Sequence, residues 1–429
     1  MRGFLVAAPH SGSGKTTVTL GLLRALRDRD LRAVSAKAGP DYIDPAFHAA
    51  ATGEDCVNLD PWAMRPALLR SLSWRFLGAG DIAVVEAMMG LFDGAADGTG
   101  SAADLAAALR LPVILVIDAS RMAHSVAALV KGYRDHRPDV PFAGVILNRV
   151  GSPRHETMLR AALEEADIRV FGAVPGDSAL SLPSRHLGLV QAGEHEALGD
   201  FIARAASMVG DNCDMDALMA LATEPNEPRD AAELPPLGQR IAVARDEAFA
   251  FAYPHLLTGW QRQGAQLSFF SPLADEGPEP DADAVFLPGG YPELHAGRIA
   301  AAATCLDGLR MAANHGKPVY GECGGYMVLG EGLIDADGER HAMAGLLPVV
   351  TSYAQRKRHL GYRRLQPLGG SPWALPLTAH EFHYSSLVSE GEGERLFAVR
   401  DARGEDLGEA GLQRGSVCGS YMHVIDRAD

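Results

Sequence analysis

From the start of the chain to about residue 175, short unbroken apolar runs alternate with stretches in which apolar positions recur every three or four residues. Runs at Gly3–Ala8, Ala33–Ala38, Asp81–Glu86, Val113–Asp118, Ala143–Asn148 and Val170–Val174 read as strands buried on both faces. Stretches at Thr17–Arg29, Pro66–Leu77, Ser101–Leu109, Ala123–His136 and His155–Ala166 read as amphipathic helices. Apolar strands separated by helices predict a parallel sheet covered on both sides. Ligands of such sheets gather at the carboxyl ends of the strands, so functional residues should follow strands rather than precede them.

The periodicity stops at Glu224–Gly238, where four prolines stand among charged residues, and this segment reads as a linker. A second α/β pattern follows. Its strands are expected at Arg240–Arg245, Leu267–Phe270, Ala284–Leu287 and Val319–Glu322, with a helix from Gly325 and later strands around Ala344–Val350 and Leu360–Leu365. The pattern predicts an α/β protein of two domains, residues 1–223 and 239–429.

Composition narrows the partners more than the fold. A formal net charge of −15 argues against general binding of nucleic acid or anionic membranes. The cysteines (Cys56, Cys213, Cys305, Cys323, Cys418) are odd in number and lack paired metal-ligand spacing, which favours a reducing compartment. The apolar start is too short for a signal peptide and runs into a Gly-rich loop. No later stretch has the length and apolarity of a membrane span. A soluble, cytoplasmic protein is expected.

The Gly-rich loop is Ala8-Pro9-His10-Ser11-Gly12-Ser13-Gly14-Lys15-Thr16-Thr17, between a predicted strand and a predicted helix. This is the context of a phosphate loop, which binds nucleotide through Ser11, Gly12, Ser13, Gly14, Lys15, Thr16 and Thr17. The two glycines let backbone N–H groups face phosphate oxygens, and the helix N-terminus favours the same anion. Lys15 would neutralise the outer phosphates of ATP, and the Thr16 hydroxyl would ligate Mg²⁺. Pro9 stands where the ordinary pattern has glycine, and the loop is one residue longer, a spacing similar to that of dethiobiotin synthetase-type ATPases. Acids follow the next strands: Asp41 and Asp44 after Ala36-Lys37-Ala38, and Glu86 at the close of Val84-Val85. A carboxylate ending a buried strand is costly unless it meets a cation, and carboxylate oxygens suit Mg²⁺. Asp41 or Asp44 alone also reads as a turn or helix cap. Asn148 reads either as an adenine-edge contact or as a satisfied loop asparagine.

In the second domain, Pro318-Val319-Tyr320-Gly321-Glu322-Cys323-Gly324-Gly325 reads as strand, sharp turn and helix, a nucleophile elbow carrying a thiol. The helix N-terminus would favour the thiolate. Backbone N–H groups at Gly290, in Leu287-Pro288-Gly289-Gly290, and at Gly324 would form an oxyanion hole. His423, closing the strand of Cys418-Gly419-Ser420-Tyr421-Met422-His423, is the candidate base. Together these segments resemble class I glutamine amidotransferases, which release ammonia from glutamine through a Cys thioester. Where that family has Glu two residues after the His, this chain has Ile425, with Asp426 one residue later. A Cys–His dyad is expected.

Across nearly its whole length the chain resembles the cobyrinic acid a,c-diamide synthase family, including its hydrogenobyrinic acid branch. The matching segments are Ser11–Leu23, Lys37–Pro45, Val84–Gly94, Leu182–Leu189, Arg240–Phe249, Leu287–Leu294, Tyr320–Met327, Leu360–Arg363, His380–Ser385 and Gly419–His423. The resemblance implies a P-loop NTPase-type parallel sheet fused to a class I amidotransferase-like domain. It implies ATP-Mg- and glutamine-dependent amidation of the a and c acetates of a corrinoid polycarboxylic acid through acyl phosphates, in cobalamin biosynthesis. It places Mg²⁺ at Thr16, Asp44 and Glu86, substrate and its activation at Lys37, Asp41, Tyr42 and Asp93, and glutaminase chemistry at Cys323 and His423. An enclosed path for ammonia is expected, because free ammonia is mostly protonated at neutral pH. Arg356-Lys357-Arg358 with Arg363-Arg364 reads either as a corrinoid-facing cluster or as a solvated loop. Rival readings are a related tetrapyrrole acid as substrate, or a P-loop switch ATPase with a non-catalytic C-terminal half. Cobalt-free or cobalt-bearing substrate, and monomer or homodimer, stay open.

Overall fold

The apolar runs of the first half become parallel strands of one sheet. The computed structural model describes residues 2–180, 197–221 and 231–428. By packing, the chain divides into Met1–Trp62 with Pro66–Ala231, and Ala63–Arg65 with Ala232–Asp429. The motif segment Leu182–Leu189 and the first part of the expected linker lie outside the described residues.

The first unit runs β1 (Gly3–Ala7), α1 (Lys15–Arg27), β2 (Ala33–Ala38), α2 (Asp44–Thr52), β3 (Val57–Leu59), α3 (Pro66–Leu72), β4 (Ile82–Glu86), α4 (Ala102–Leu109), β5 (Val113–Asp118), α5 (Ser125–His136), β6 (Phe142–Val150), α6 (Pro153–Glu165), β7 (Val170–Pro175), α7 (Leu198–Asn212) and α8 (Met215–Ala220). The sheet order is β3-β2-β4-β1-β5-β6-β7, all parallel. β1, β2 and β4 are buried at every residue, as helices on both faces require. The helix expected over Pro66–Leu77 ends as a π-helical turn at Ser73–Leu77. The spacing did not suggest α2, because Gly39-Pro40 reads as a turn and Asp41 and Asp44 read as turn or cap residues; Pro45 occupies the first turn of the helix, where its missing N–H costs nothing.

The second unit runs β8 (Arg240–Ala244), α9 (Pro254–Arg262), β9 (Gln266–Phe270), β10 (Ala284–Leu287), α10 (Ala296–Ala301), α11 (Ala303–Asn314), β11 (Val319–Glu322), α12 (Gly324–Leu329), β12 (Gly332–Ile334), β13 (Arg340–Ala342), β14 (Val349–Ser352), β15 (His359–Pro367), β16 (Leu377–His383), β17 (Ser386–Glu390), β18 (Glu394–Asp401), β19 (Asp406–Arg414), β20 (Val417–Ser420) and β21 (Met422–Arg427). Its main sheet has the order β21-β16-β15-β18-β19-β20-β11-β10-β8-β9. The β9-β8-β10-β11-β20 half is parallel and the rest antiparallel. A smaller sheet, β13-β12-β14-β17, stands apart. The strand expected around Ala344–Val350 begins only at Val349, since Gly345, at φ +68°, and Pro348 break the extended run. His423 does not close the strand of Cys418: the chain breaks at Tyr421, and His423 is the second residue of β21.

Candidate functional site

In the first unit, β1 delivers the chain into the Gly-rich loop and α1 begins at Lys15. Gly14 has φ +86°, and a Cβ there would lie 2.1 Å from Asn148 Nδ2, so only glycine fits. Asn148, near the end of β6, donates its amide to the Ser13 carbonyl at 2.9 Å, while its Oδ1 accepts the Arg149 N–H at 2.9 Å. It braces the loop. Ser13 is buried, Thr17 is half-buried, and Ser11 and Gly12 are exposed, leaving one side of the loop open to solvent.

The acids converge beside this loop. Parallel register sets Lys37 of β2 against Glu86 of β4. The Lys37 ammonium lies 3.0 Å from Glu86 Oε1, is bonded to Asp44, and is 3.7 Å from Asp41 Oδ2. The Thr16 hydroxyl donates to Glu86 Oε1 at 2.7 Å and reaches Asp44 Oδ2 at 3.5 Å. Lys15 Nζ stands 3.7 Å from Glu86. Despite complete burial, Lys37, the His48 hydrogen bond and Lys15 hold Glu86 well below the usual carboxylate range. Burial raises Asp44 to about 6 against the pull of Lys37. Thr16, Asp44 and Glu86 thus present hard oxygen atoms around a point already held by a cation, the Lys37 ammonium. That donor set fits Mg²⁺.

The remaining residues sit at the rim. Asp41 Oδ1 accepts the N–H groups of Ile43 and Asp44 at 2.8 and 3.2 Å, so it caps the entry to α2 while its other oxygen faces Lys37. Tyr42 is half-buried in that turn. Asp93 is exposed and accepts the Gly90 N–H at 2.8 Å. Sequence reasoning passed over His48. It lies one helical turn beyond Asp44 and is fully buried; its Nε2 donates to Glu86 Oε2 at 2.7 Å, and its Nδ1 is 3.5 Å from Cys56 Sγ. Burial opposes its charge, yet Cys56 and Glu86 raise it to about 10. Its spacing of four from Asp44 was the one available signal.

In the second unit, β11 ends at Glu322 and Cys323 turns the chain with φ +46° and ψ −104°, a conformation worth ~1–3 kcal/mol of strain in a residue bearing a Cβ. The Cys323 N–H donates to the Ser420 carbonyl at 2.8 Å, which anchors the turn to β20. A Cβ at Gly324 would lie 3.0 Å from Gly290 N, so the two candidate oxyanion donors are neighbours. A Cβ at Gly289 would lie 2.3 Å from His423 Cε1, so the imidazole rests on that glycine. The elbow, the Gly289-Gly290 loop and His423 are therefore adjacent.

Burial and the carboxylates of Glu293, Glu322 and Glu381 push the Cys323 thiol up, against the Gly324 N–H. The pull expected from the helix N-terminus is weak here, because α12 is only six residues long and the site is buried among acids. Burial, with His380 and His383, lowers His423 to about 3. An imidazole held neutral in this way can act as a base. Asp426 does not serve His423: its carboxylate accepts from the Arg65 N–H, Nε and Nη2 at 3.0, 2.9 and 3.0 Å.

A cavity of ≈350 Å³ adjoins this site, lined among others by Tyr326, Lys357, Glu381, Glu390, Arg395 and Tyr421. Glu381 is bound by Arg363 at 2.7 Å and by His383 at 3.0 Å. Arg363 is therefore committed within the domain, whereas Arg356, Lys357 and Arg358 are exposed.

Two family models cover the two halves. Residues 4–190 match the CobQ/CobB/MinD/ParA nucleotide binding domain, and residues 240–429 match the CobB/CobQ-like glutamine amidotransferase domain. The hydrogenobyrinate a,c-diamide synthase of Sinorhizobium sp. is 63% identical over 100% of this chain and 99% of its own length. Proteins of that name from Brucella anthropi and Mesorhizobium japonicum are 62% and 50% identical, over 99% and 100% of this chain and 99% of their own length. The chain belongs to the hydrogenobyrinate a,c-diamide synthase family. It is a glutamine-dependent amidating ligase with a nucleotide-binding domain. In this enzyme, no helix among the described residues is long and apolar enough to cross a membrane.

Proposed function

We propose that this enzyme amidates the a and c acetate side chains of hydrogenobyrinic acid, in cobalamin biosynthesis, using ATP-Mg and glutamine. Full-length identity of 63% to a synthase of that name carries the reading. The two sites supply chemistry that such a reaction needs.

A carboxylate cannot accept ammonia directly, because oxide would have to leave. In the first unit, a substrate carboxylate oxygen bonds to the γ-phosphorus of ATP and the bond to the β–γ bridging oxygen breaks, giving acyl phosphate and ADP. Lys15 and the loop N–H groups hold the phosphates, and Asn148 keeps the loop rigid. Thr16, Asp44 and Glu86 would hold Mg²⁺, which when bound offsets the charge developing on the phosphates. Lys37, the Asp41–Tyr42 turn and Asp93, on the loop after β4, would meet the acceptor carboxylate. Ammonia then attacks the acyl carbon, loses a proton, and phosphate departs.

In the second unit, Cys323 Sγ attacks the glutamine amide carbon as its proton passes to His423. The oxyanion points at the Gly290 and Gly324 N–H groups. His423 returns the proton to departing ammonia, and water hydrolyses the thioester to glutamate. The adjoining cavity lies in the size range of small-molecule sites, about 300–1,000 Å³. Lys357 and Glu409 line it, while Arg395 and Glu390 are bonded to each other in its wall.

Assaying cobalt-free and cobalt-bearing acids side by side tests the substrate. Two replacements of OH by NH₂, read by mass, are expected on hydrogenobyrinic acid. No product from either acid while glutamine is still hydrolysed would overturn the substrate.

A further inference from the structure

The nucleophile turn and the base strand are not paired in the sheet. β20 pairs with β11, but at Tyr421 the chain leaves that ladder, and β21 pairs with β16. Gly289 supports the His423 ring from one side, and a direct link between β11 and β21 adds to it. Glu322, the last residue of β11, supplies such a contact. Its Oε1 accepts the Val424 N–H at 3.1 Å and the Tyr320 hydroxyl at 3.0 Å. One carboxyl therefore joins the residue before the nucleophile to the residue after the base.

We infer that Glu322 is a positioning residue for glutamine hydrolysis, fixing His423 relative to Cys323 through the Val424 N–H. The inference rests on the roles proposed above for Cys323 and His423. Sequence comparison within class I amidotransferases looks for a carboxylate two residues past the His; here that place holds Ile425, and Asp426 is bound to Arg65. The carboxyl that organises the site comes from the nucleophile's own strand.

The surroundings favour this role over simple packing. Glu322 is 2% exposed, and both of these partners are neutral. Burial raises its carboxyl to about 8, against the hydrogen bonds from the Val424 N–H and the Tyr320 hydroxyl. Tyr320 stacks on Phe286 with centroids 5.9 Å apart and meets Trp373 edge-on at 5.4 Å, so the wall beneath is aromatic. Leucine would fill such a place without burying a carboxyl. What leucine cannot do is accept the Val424 N–H. Without that acceptor the Val424 N–H loses its partner on the β11 side, leaving β21 held by β16, and a shift of about 1 Å in a catalytic group can cost ~10²-fold in rate.

The test uses the full-length enzyme with Glu322→Leu, Glu322→Gln and, as a reference, Cys323→Ala. Three quantities are measured: kcat and KM for glutamine hydrolysis, ATP-dependent amidation with ammonium chloride in place of glutamine, and the pH profile of iodoacetamide alkylation at Cys323, read on its own peptide. Glu322→Leu should lower kcat for glutamine ~10²-fold, with KM little changed and alkylation slowed near neutral pH. Glu322→Gln keeps the acceptor oxygen and should restore most of both. Ammonia-dependent amidation should match wild type in all three variants. A wild-type kcat and alkylation profile in Glu322→Leu would overturn the inference. So would Glu322→Gln as slow as Glu322→Leu, or equal loss of the ammonia-dependent reaction, which would indicate a general folding role. Glutamate release by Cys323→Ala would overturn the nucleophile assignment beneath it.

Discussion

At the scale of single residues, the same chemical type does different work according to its nearest partners. Glu381 sits between Arg363 and His383, and although burial opposes its charge, these partners hold it at about 2. Its folded pKa lies below the ordinary 4.5, so its contribution is complete above that value and fades as pH falls towards 2. Glu381→Gln should cost ~3 kcal/mol at pH 7.5, and the gap in urea midpoint from wild type should shrink steadily below pH 4.5. A gap that is unchanged at pH 3 would contradict the ion-pair origin. Asp426 shows the opposite lesson. It follows His423 closely in sequence, yet its carboxylate is bound by Arg65, and Asp426→Asn should leave the pH profile of glutamine hydrolysis unshifted. Nothing in the spacing revealed this, because Arg65 lies far away in the chain.

At the scale of elements, loops and strand ends do the positioning. The loop into α1 depends on Gly14, whose φ of +86° and closeness to Asn148 exclude any side chain. Gly14→Ala should abolish binding of a fluorescent ATP analogue while glutamine hydrolysis persists. The backbone conformation alone would cost ~1–3 kcal/mol. Persisting tight nucleotide binding would show that the loop adopts another path. α2 carries both Asp44 and His48, one turn apart, so a single helix sets the acid bonded to Lys37 and the imidazole bonded to Glu86, the residues proposed to hold Mg²⁺ being Thr16, Asp44 and Glu86. His48→Ala should raise the Mg²⁺ concentration needed for half-maximal nucleotide binding, and His48→Gln should recover part of it. The local pattern showed the strands well, since their apolar runs are unbroken. It missed α2 because the residues that open it also read as a turn.

At the scale of the whole molecule, two chemistries with separable requirements share one chain. Lys15→Ala should abolish amidation with either nitrogen source and leave glutaminase chemistry intact. Cys323→Ala should abolish amidation with glutamine alone, and saturating ammonium chloride should restore product. Loss of both reactions in Cys323→Ala would contradict independent sites. The sequence by itself determined the alternation of strands and helices, the phosphate loop with Lys15 and Thr16, the acids after β2 and β4, and the elbow at Cys323. These are local: each needs only a few neighbouring residues with defined backbone preferences. Tertiary structure alone decided that Lys37 and Glu86 are cross-strand neighbours, that His48 reaches Glu86, and that burial among acids pushes the Cys323 thiol up. It also decided that the chain changes partner at Tyr421, which leaves Glu322 to bridge the gap to Val424. Strand register and burial depend on segments distant in sequence, and hydrogen-bond partners and proton affinities follow from them.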